Sequence, residues 1–491
     1  MCSTQLKSYG ARSCQKLLLS AVAAMSVAGM AAIAAHGSTV DTWKVSGNGN
    51  WDATSANWTT NNAGGVYADG NAVVFPNSLG GTITVTNVSG NGGVTPASVE
   101  FSDVNTTGGN YTFVAGTGVT QGIEGAATTV QLDTAYNGTV TMNLANTYAG
   151  GTTINGGILQ LQLTGSSSAP TTVNQLGSGT VTVNGGQLEL SPNGSPSTGD
   201  VYNLNNNIAL NGGAVFAADG LEHLTGTVNV TGTSATLAEQ YGGKDLFVDG
   251  PLTGSGALQV THFGSNSFGE GTVHIGGANN TYSGTIRVDA GSLAIDNNSA
   301  LVHANIIDNS NYSANSSIQD AGVMFTGPAG DYSNVSVHSL TITRQGTLSL
   351  TNGTIPVTLA ATDGLVLGTA GYGAAAIINF LLTTPGNSSE LLVTGGDFTV
   401  AAPVTLNLAG GTGFADGSSY ELLNWAGAAT PTAITLADFN LGTHSGTQSL
   451  TISGDALYYR AAPVPEPASL GLVALGAIGL LLLKKRIRPA V

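Results

Sequence analysis

The chain has 491 residues, of which 71 are glycine and only 8% are charged, against an ordinary charged share of about a quarter. Between Gly37 and Pro463 stand five basic side chains (Lys44, Lys244, Arg287, Arg344, Arg460) and 27 acidic ones, five minus 27 giving a formal charge of −22. A surface so poor in cations cannot neutralise phosphates, which excludes nucleic acid as a partner, and anionic polymers can meet it only through bridging cations. Both cysteines, Cys2 and Cys14, lie near the N-terminus, so a chain that has lost that segment has neither disulfides nor thiolate metal sites.

Residues 1–35 read as a secretory signal. A basic stretch ends at Lys16, an apolar stretch runs from Leu17 to Ala35, and Ala32-Ile33-Ala34 offers a small-residue cleavage site. Residues 36–75 follow with Trp43, Trp51 and Trp58 ahead of Asp69-Gly-Asn-Ala-Val-Val-Phe75. Exposed, these rings would be a sugar-stacking platform; buried, they would cap the open end of a core. The cap is the expected arrangement.

Residues 76–362 contain an internal repeat. The segments beginning at Tyr148, Gly177 and Tyr282 align without gaps. Counting the first residue as zero, all share Gly at +2 (Gly150, Gly179, Gly284), a β-branched aliphatic at +6 (Ile154, Val183, Val288) and Gly at +9 (Gly157, Gly186, Gly291). Leu follows at +11 (Leu159, Leu188, Leu293), and Leu or Ile at +13 (Leu161, Leu190, Ile295). Apolar and polar residues alternate on either side of the second glycine, giving short strands with one buried face. One unit cannot bury that face alone, so units must stack. Asn-Gly between alternating strands is also a hairpin signal, which would give antiparallel sandwiches. The near absence of helix-period segments and of proline, with corner glycines throughout, favours an all-β solenoid whose corners need positive φ. The Tyr148 and Tyr282 segments resemble the autotransporter-associated β-strand repeat. That resemblance implies a right-handed parallel β-helix outside the cell. No run of amphipathic strands suited to an outer-membrane barrel follows.

Residues 363–463 carry denser apolar runs, Ala376 to Leu382 and Ser419 to Trp425, and read as a C-terminal β region ending in a short stalk. Residues 464–488 then contain Pro465, Glu466 and Pro467, an uncharged run from Leu470 to Leu483, and the basic cluster Lys484, Lys485, Arg486 and Arg488. The prolines hold the backbone extended, a shape that a processing enzyme can grip. As a helix, the run from Ala468 spans roughly 24 Å, enough for one short transmembrane helix if lysines snorkel and the bilayer thins. The basic cluster keeps its own end cytoplasmic and the body outside. This end resembles the PEP-CTERM sorting signal of Gram-negative bacteria. The resemblance implies that Pro465, Glu466 and Pro467 are read by an exosortase, as substrate and not as catalyst. It further implies an intermediate anchored in the inner membrane, then release to the cell surface or matrix.

No nucleophile elbow, P-loop, dinucleotide fingerprint or zincin motif is present. The seven histidines are scattered and read as surface or turn residues. No cofactor and no metal ligands are expected. The expected function is non-enzymatic: a structural protein of the cell surface or extracellular matrix, with exopolysaccharide or other matrix polymers as candidate partners. An adhesin or carbohydrate-binding surface protein is the first alternative. A β-helix polysaccharide-degrading enzyme is the second.

Overall fold

The computed structural model describes residues 39–461 except 61–64, 87–91, 103–107, 164–170, 193–200, 219, 241–244, 264–270, 310–321, 326–334, 344–345, 353–354, 371–374, 416 and 444–447. Among the described residues the only helical element is the single 3-10 turn Leu436–Asp438; the rest is strand and turn. The chain divides into two units, residues 1–164 with 173–189, and residues 165–172 with 190–491.

The first unit is a parallel β-solenoid. Val40–Trp43, Ala72–Pro76, Ser98–Ser102, Thr129–Leu132, Thr152–Ile154 and Val181–Val183 pair in parallel as one sheet. Gly49–Trp51, Gly81–Val85, Tyr111–Ala115, Thr139–Asn143 and Ile158–Leu163 form a second. Thr152–Ile154 and Ile158–Leu163 lie in different sheets. Asn155-Gly156-Gly157 is therefore a corner between faces of a coil and not a hairpin turn, which rules out the sandwich alternative here. The one antiparallel strand of this sheet is Trp58–Thr60, which folds back along Val40–Trp43.

Apolar residues of each strand point inward at every second position. Ile154, Leu159, Leu161, Val181 and Val183 are fully buried, whereas Thr153 and Thr182 between them are not. The polar residues outside form ladders of their own. Thr141 Oγ1 donates to Gln160 Oε1 at 2.9 Å, and Gln160 Nε2 donates to Glu189 Oε1 at 2.8 Å. At the start of the unit Trp43, Trp51 and Trp58 are at most 1% exposed, packed around Phe75 with Tyr67, Phe101 and Phe113. A stacking platform requires open ring faces, and these have none.

The second unit has the same construction with more faces. Ten parallel strands run from Val201–Leu204 through Thr272–Ile275 and Ala376–Leu382 to Phe439–Leu441. Another parallel set runs from Gly213–Ala217 through Ala235–Glu239 and Ser339–Ile342 to Thr430–Pro431. A third face holds Val335–Val337, Thr358–Ala361, Glu390–Val393 and Ser419–Asn424 in parallel. Onto Ser419–Asn424 the chain adds Ala456–Ala461 and then Gln448–Ser453, both antiparallel.

The repeat glycines and tyrosines have distinct work in this architecture. A Cβ at Gly150 would sit 2.5 Å from the Thr128 carbonyl, and one at Gly284 would overlap that of Gly256. The +2 position thus lets one coil lie directly against the coil before it. At +9, Gly157 and Gly291 have φ of 63° and 70°, where side chains are strained. Gly186 differs: its φ is not positive, and other residue types are excluded because a Cβ there would lie 2.7 Å from the carbonyls of both Gly156 and Gly157. The positive-φ expectation holds at two of the three sites and the third is set by contact. The leading tyrosines are buried, and Tyr282 OH donates to the Gly256 carbonyl at 2.6 Å, tying its coil to the one before.

Candidate functional site

The residues on which the sequence places sorting, Pro465, Glu466 and Pro467, and the basic stop Lys484, Lys485, Arg486 and Arg488, lie outside the described residues. So do the apolar run between them and the signal segment. Among the described residues no helix is long and apolar enough to cross a membrane. What the structure shows is how the chain arrives at the tail. Ala456–Ala461 is the central strand of the antiparallel end of its sheet, with Leu457 and Tyr459 buried on the core side.

On the outer face of that sheet three polar side chains stand in a row. A bulge at Glu421/Leu423 leaves Leu422 and Leu423 both buried, so Glu421 and Asn424 both face outward, on the strand next to that of Glu390. Glu421 accepts at both oxygens, from Asn424 Nδ2 at 2.7 Å and from Tyr458 OH at 3.0 Å. Partial burial, and then the charge of Glu421, push the Glu390 carboxyl up to about 7.

A second cluster sits on the face whose strands run from Val201–Leu204 to Phe439–Leu441. His223, Phe247 and His274 occupy matching positions on three successive strands. Their rings stack, with centroids 4.4 Å and 4.2 Å apart and planes within 5° and 19°. His223 Nδ1 lies 2.6 Å from Asp249 Oδ2. His274 Nδ1 lies 2.9 Å from Asp296 Oδ2, and its Nε2 lies 3.8 Å from Asp245 Oδ2. Burial opposes charge on His274, but the hydrogen bonds and negative charge of Asp245 and Asp296 outweigh it and raise the group to about 9. At neutral pH His274 is therefore a cation against the face of Phe247. The stability that it contributes is complete below the ordinary histidine range and is lost as the pH rises through about 9. Replacing it in His274→Phe keeps the stack and removes the charge. Chemical denaturation between about pH 6.5 and 9.5 should show a loss of about 2 kcal/mol in the wild type and no such step in the variant.

His262 differs from its expected place. It is interior, with Nδ1 2.8 Å from Glu239 Oε2 and both side chains 1% exposed. Burial raises the Glu239 carboxyl, partly offset by His262. The repeat glycine Gly291 makes room for this pair, since a Cβ there would come within 2.6 Å of Glu239 Oε1. Histidines on strands of successive coils meet only once coil length is known, which no local pattern encodes.

The described surface also holds a dent of about 420 Å³ lined by Ser339, Thr341, Asp363, Gly364 and Asp397. Gly364 pairs with Asp397 one strand on, and its missing side chain opens the space. Asp363 is 3.2 Å from His338 Nε2, and Asp397 accepts from Thr430 Oγ1. Hydroxyls and carboxylates of this kind can hold sugar hydroxyl groups. Among the described residues no group of His, Cys, Asp and Glu is arranged to hold a metal ion.

Comparison with known families divides the chain along the same lines. The passenger-associated-transport repeat matches residues 135–161 and 268–295, and the PEP-CTERM protein-sorting motif matches residues 463–486. The chain carries both motifs. The two repeats contain the Tyr148 and Tyr282 segments, each ending in strands of the solenoid wall, Ile158–Leu163 and Ser292–Ile295. The sorting motif begins two residues after the last described strand and is the kind of tail that an exosortase takes as its substrate. No curated protein matches the chain.

Proposed function

We propose that the chain is a non-enzymatic structural protein of the cell surface or extracellular matrix, exported by its N-terminal signal and sorted by an exosortase through Pro465, Glu466 and Pro467. The observation that carries this reading is the coupling of a repeat-built β-solenoid to a PEP-CTERM motif directly after its closing strand. Residues 470–483 supply the inner-membrane helix of the intermediate, and Lys484 to Arg488 its cytoplasmic stop. The carboxylates of the dent fit a non-catalytic role. Glycoside hydrolysis needs one carboxyl protonated and another free to act across a groove, whereas in the dent Asp363 is engaged by His338 and Asp397 by Thr430.

The test is the double variant Pro465→Ala with Glu466→Gln, which leaves the apolar run and the basic cluster intact. In a host with exosortase, mass spectrometry should find the wild-type C-terminus shortened and the variant's tail retained in the inner membrane. Identical processing of the two would remove the sorting role from these residues.

The dent favours one second reading, a carbohydrate-binding surface protein. Retention of a defined glycan by the wild type but not by Asp397→Asn would support it, and turnover of that glycan would replace both readings with an enzyme.

A further inference from the structure

The outer row of the last sheet carries an arrangement that neither sorting nor scaffolding requires. Glu390, Glu421 and Tyr458 stand on three adjacent strands, and the bulge at residues 421–423 is what brings the two carboxylates onto one face. Both oxygens of Glu421 are occupied by donors, while no described residue donates to the Glu390 carboxylate. Glu390 is therefore the member of the pair that has room for a proton of its own. Among the described residues no cation pairs in register with Glu390. Thr358 faces Glu390 from the preceding strand, and Thr451 faces Tyr458 from the following one. Arg460 pairs with Ser419, diagonal to Glu421 and one strand further from Glu390.

We propose that the Glu390–Glu421–Tyr458 row is a proton-operated clasp on the sheet that leads into the sorting tail, closed while one proton sits on Glu390 and loosened when that proton leaves. Loss of the proton leaves two like charges on the same face of neighbouring strands, where they repel. The direction follows from linkage. Glu390 is harder to ionise in the folded sheet than in an unfolded chain, where a glutamate loses its proton near 4.3. The clasp's contribution is therefore complete below about pH 4.3 and is lost as the pH rises through about 7. Tyr458 does not relieve the pair, because its hydrogen bond to Glu421, then burial, hold its hydroxyl protonated above the ordinary tyrosine range. The clasp stands on the geometry of this sheet alone and is independent of what reads the tail.

Hydrogen exchange of the full chain in detergent micelles tests it, after correction for the intrinsic pH dependence of amide exchange. Protection in Ser419–Asn424 and Ala456–Ala461 is compared with that in Ala376–Leu382 between about pH 5 and pH 8.5. The wild type should lose about tenfold in relative protection, the partly exposed position of Glu390 reducing a shift that would give more if fully buried. Glu390→Gln should hold a constant ratio across this range. Glu421→Gln, which removes the opposing charge but leaves the burial of Glu390, should show a smaller fall than the wild type. A constant ratio in the wild type, or an equal fall in Glu390→Gln, overturns the clasp.

Discussion

Phe75→Ala is expected to lower the stability of the first unit by about 3–5 kcal/mol, the cost of emptying a large aromatic site in a packed core. Phe75 is fully buried and is the centre of a ring cluster. Its centroid lies 5.3 Å from Phe101, 5.2 Å from Tyr111 and 5.1 Å from Phe113 along the solenoid. It lies 5.8 Å from Trp43, 5.5 Å from Trp51 and 5.6 Å from Trp58 on the other side. Removing it takes away the ring that joins all three tryptophans to the coils that follow, leaving Trp51 against Phe113 at 6.2 Å. Rigid indoles cannot collapse into the space, since Trp43 and Trp58 already meet edge to face at 5.0 Å. Urea unfolding followed by tryptophan fluorescence reads this directly, because three of the four tryptophans belong to the cluster. A loss under about 1 kcal/mol would mean that the rings are not one packed body.

Gly157→Val should be of similar size, for a different reason. The backbone there has φ of 63°, where a β-branched residue is a genuine outlier. The added Cβ would also meet the Tyr136 ring at 2.6 Å and the Gly138 carbonyl at 2.7 Å. Strain of about 1–3 kcal/mol and overpacking of about 1–3 kcal/mol act together, so about 3–5 kcal/mol is expected. Thr182→Ser, on the outward phase of Val181–Val183, should stay within about 0.5 kcal/mol. Thermal melting of the two variants beside the wild type checks both values. Equal melting would show that the coil does not turn at Gly157.

Much of the wall of the solenoid is written in the sequence. The alternation of Val181, Thr182 and Val183, and the spacing of Gly157, Leu159 and Leu161, state which side chains face inward, because strand periodicity is local. The repeat also names its own corners. What the local pattern omits is the number of residues between coils, and that number decides which outward side chains become neighbours. His223, Phe247 and His274 form one stack only because two successive coils of unequal length return the chain to the same register. Glu390 and Glu421 share one face only because a bulge shifts the phase of one strand, and adjacent leucines at 422 and 423 are its single trace in the sequence. The sorting residues were legible for the opposite reason. Pro465, Glu466 and Pro467 act as an extended peptide read by another protein, so their meaning lies in their order and not in a fold.

The strand Trp58–Thr60 has a consequence for assembly. A parallel sheet ending in a bare strand is a template on which the next molecule can add, and successive additions make a filament. Val40–Trp43 would be such an end, with its pairing groups open and flat. By returning antiparallel across it, Trp58–Thr60 occupies those groups with a strand of only three residues and of opposite polarity. A second molecule arriving in the parallel sense then finds no matching edge along Val40–Trp43, so this edge of the sheet is closed to end-to-end growth.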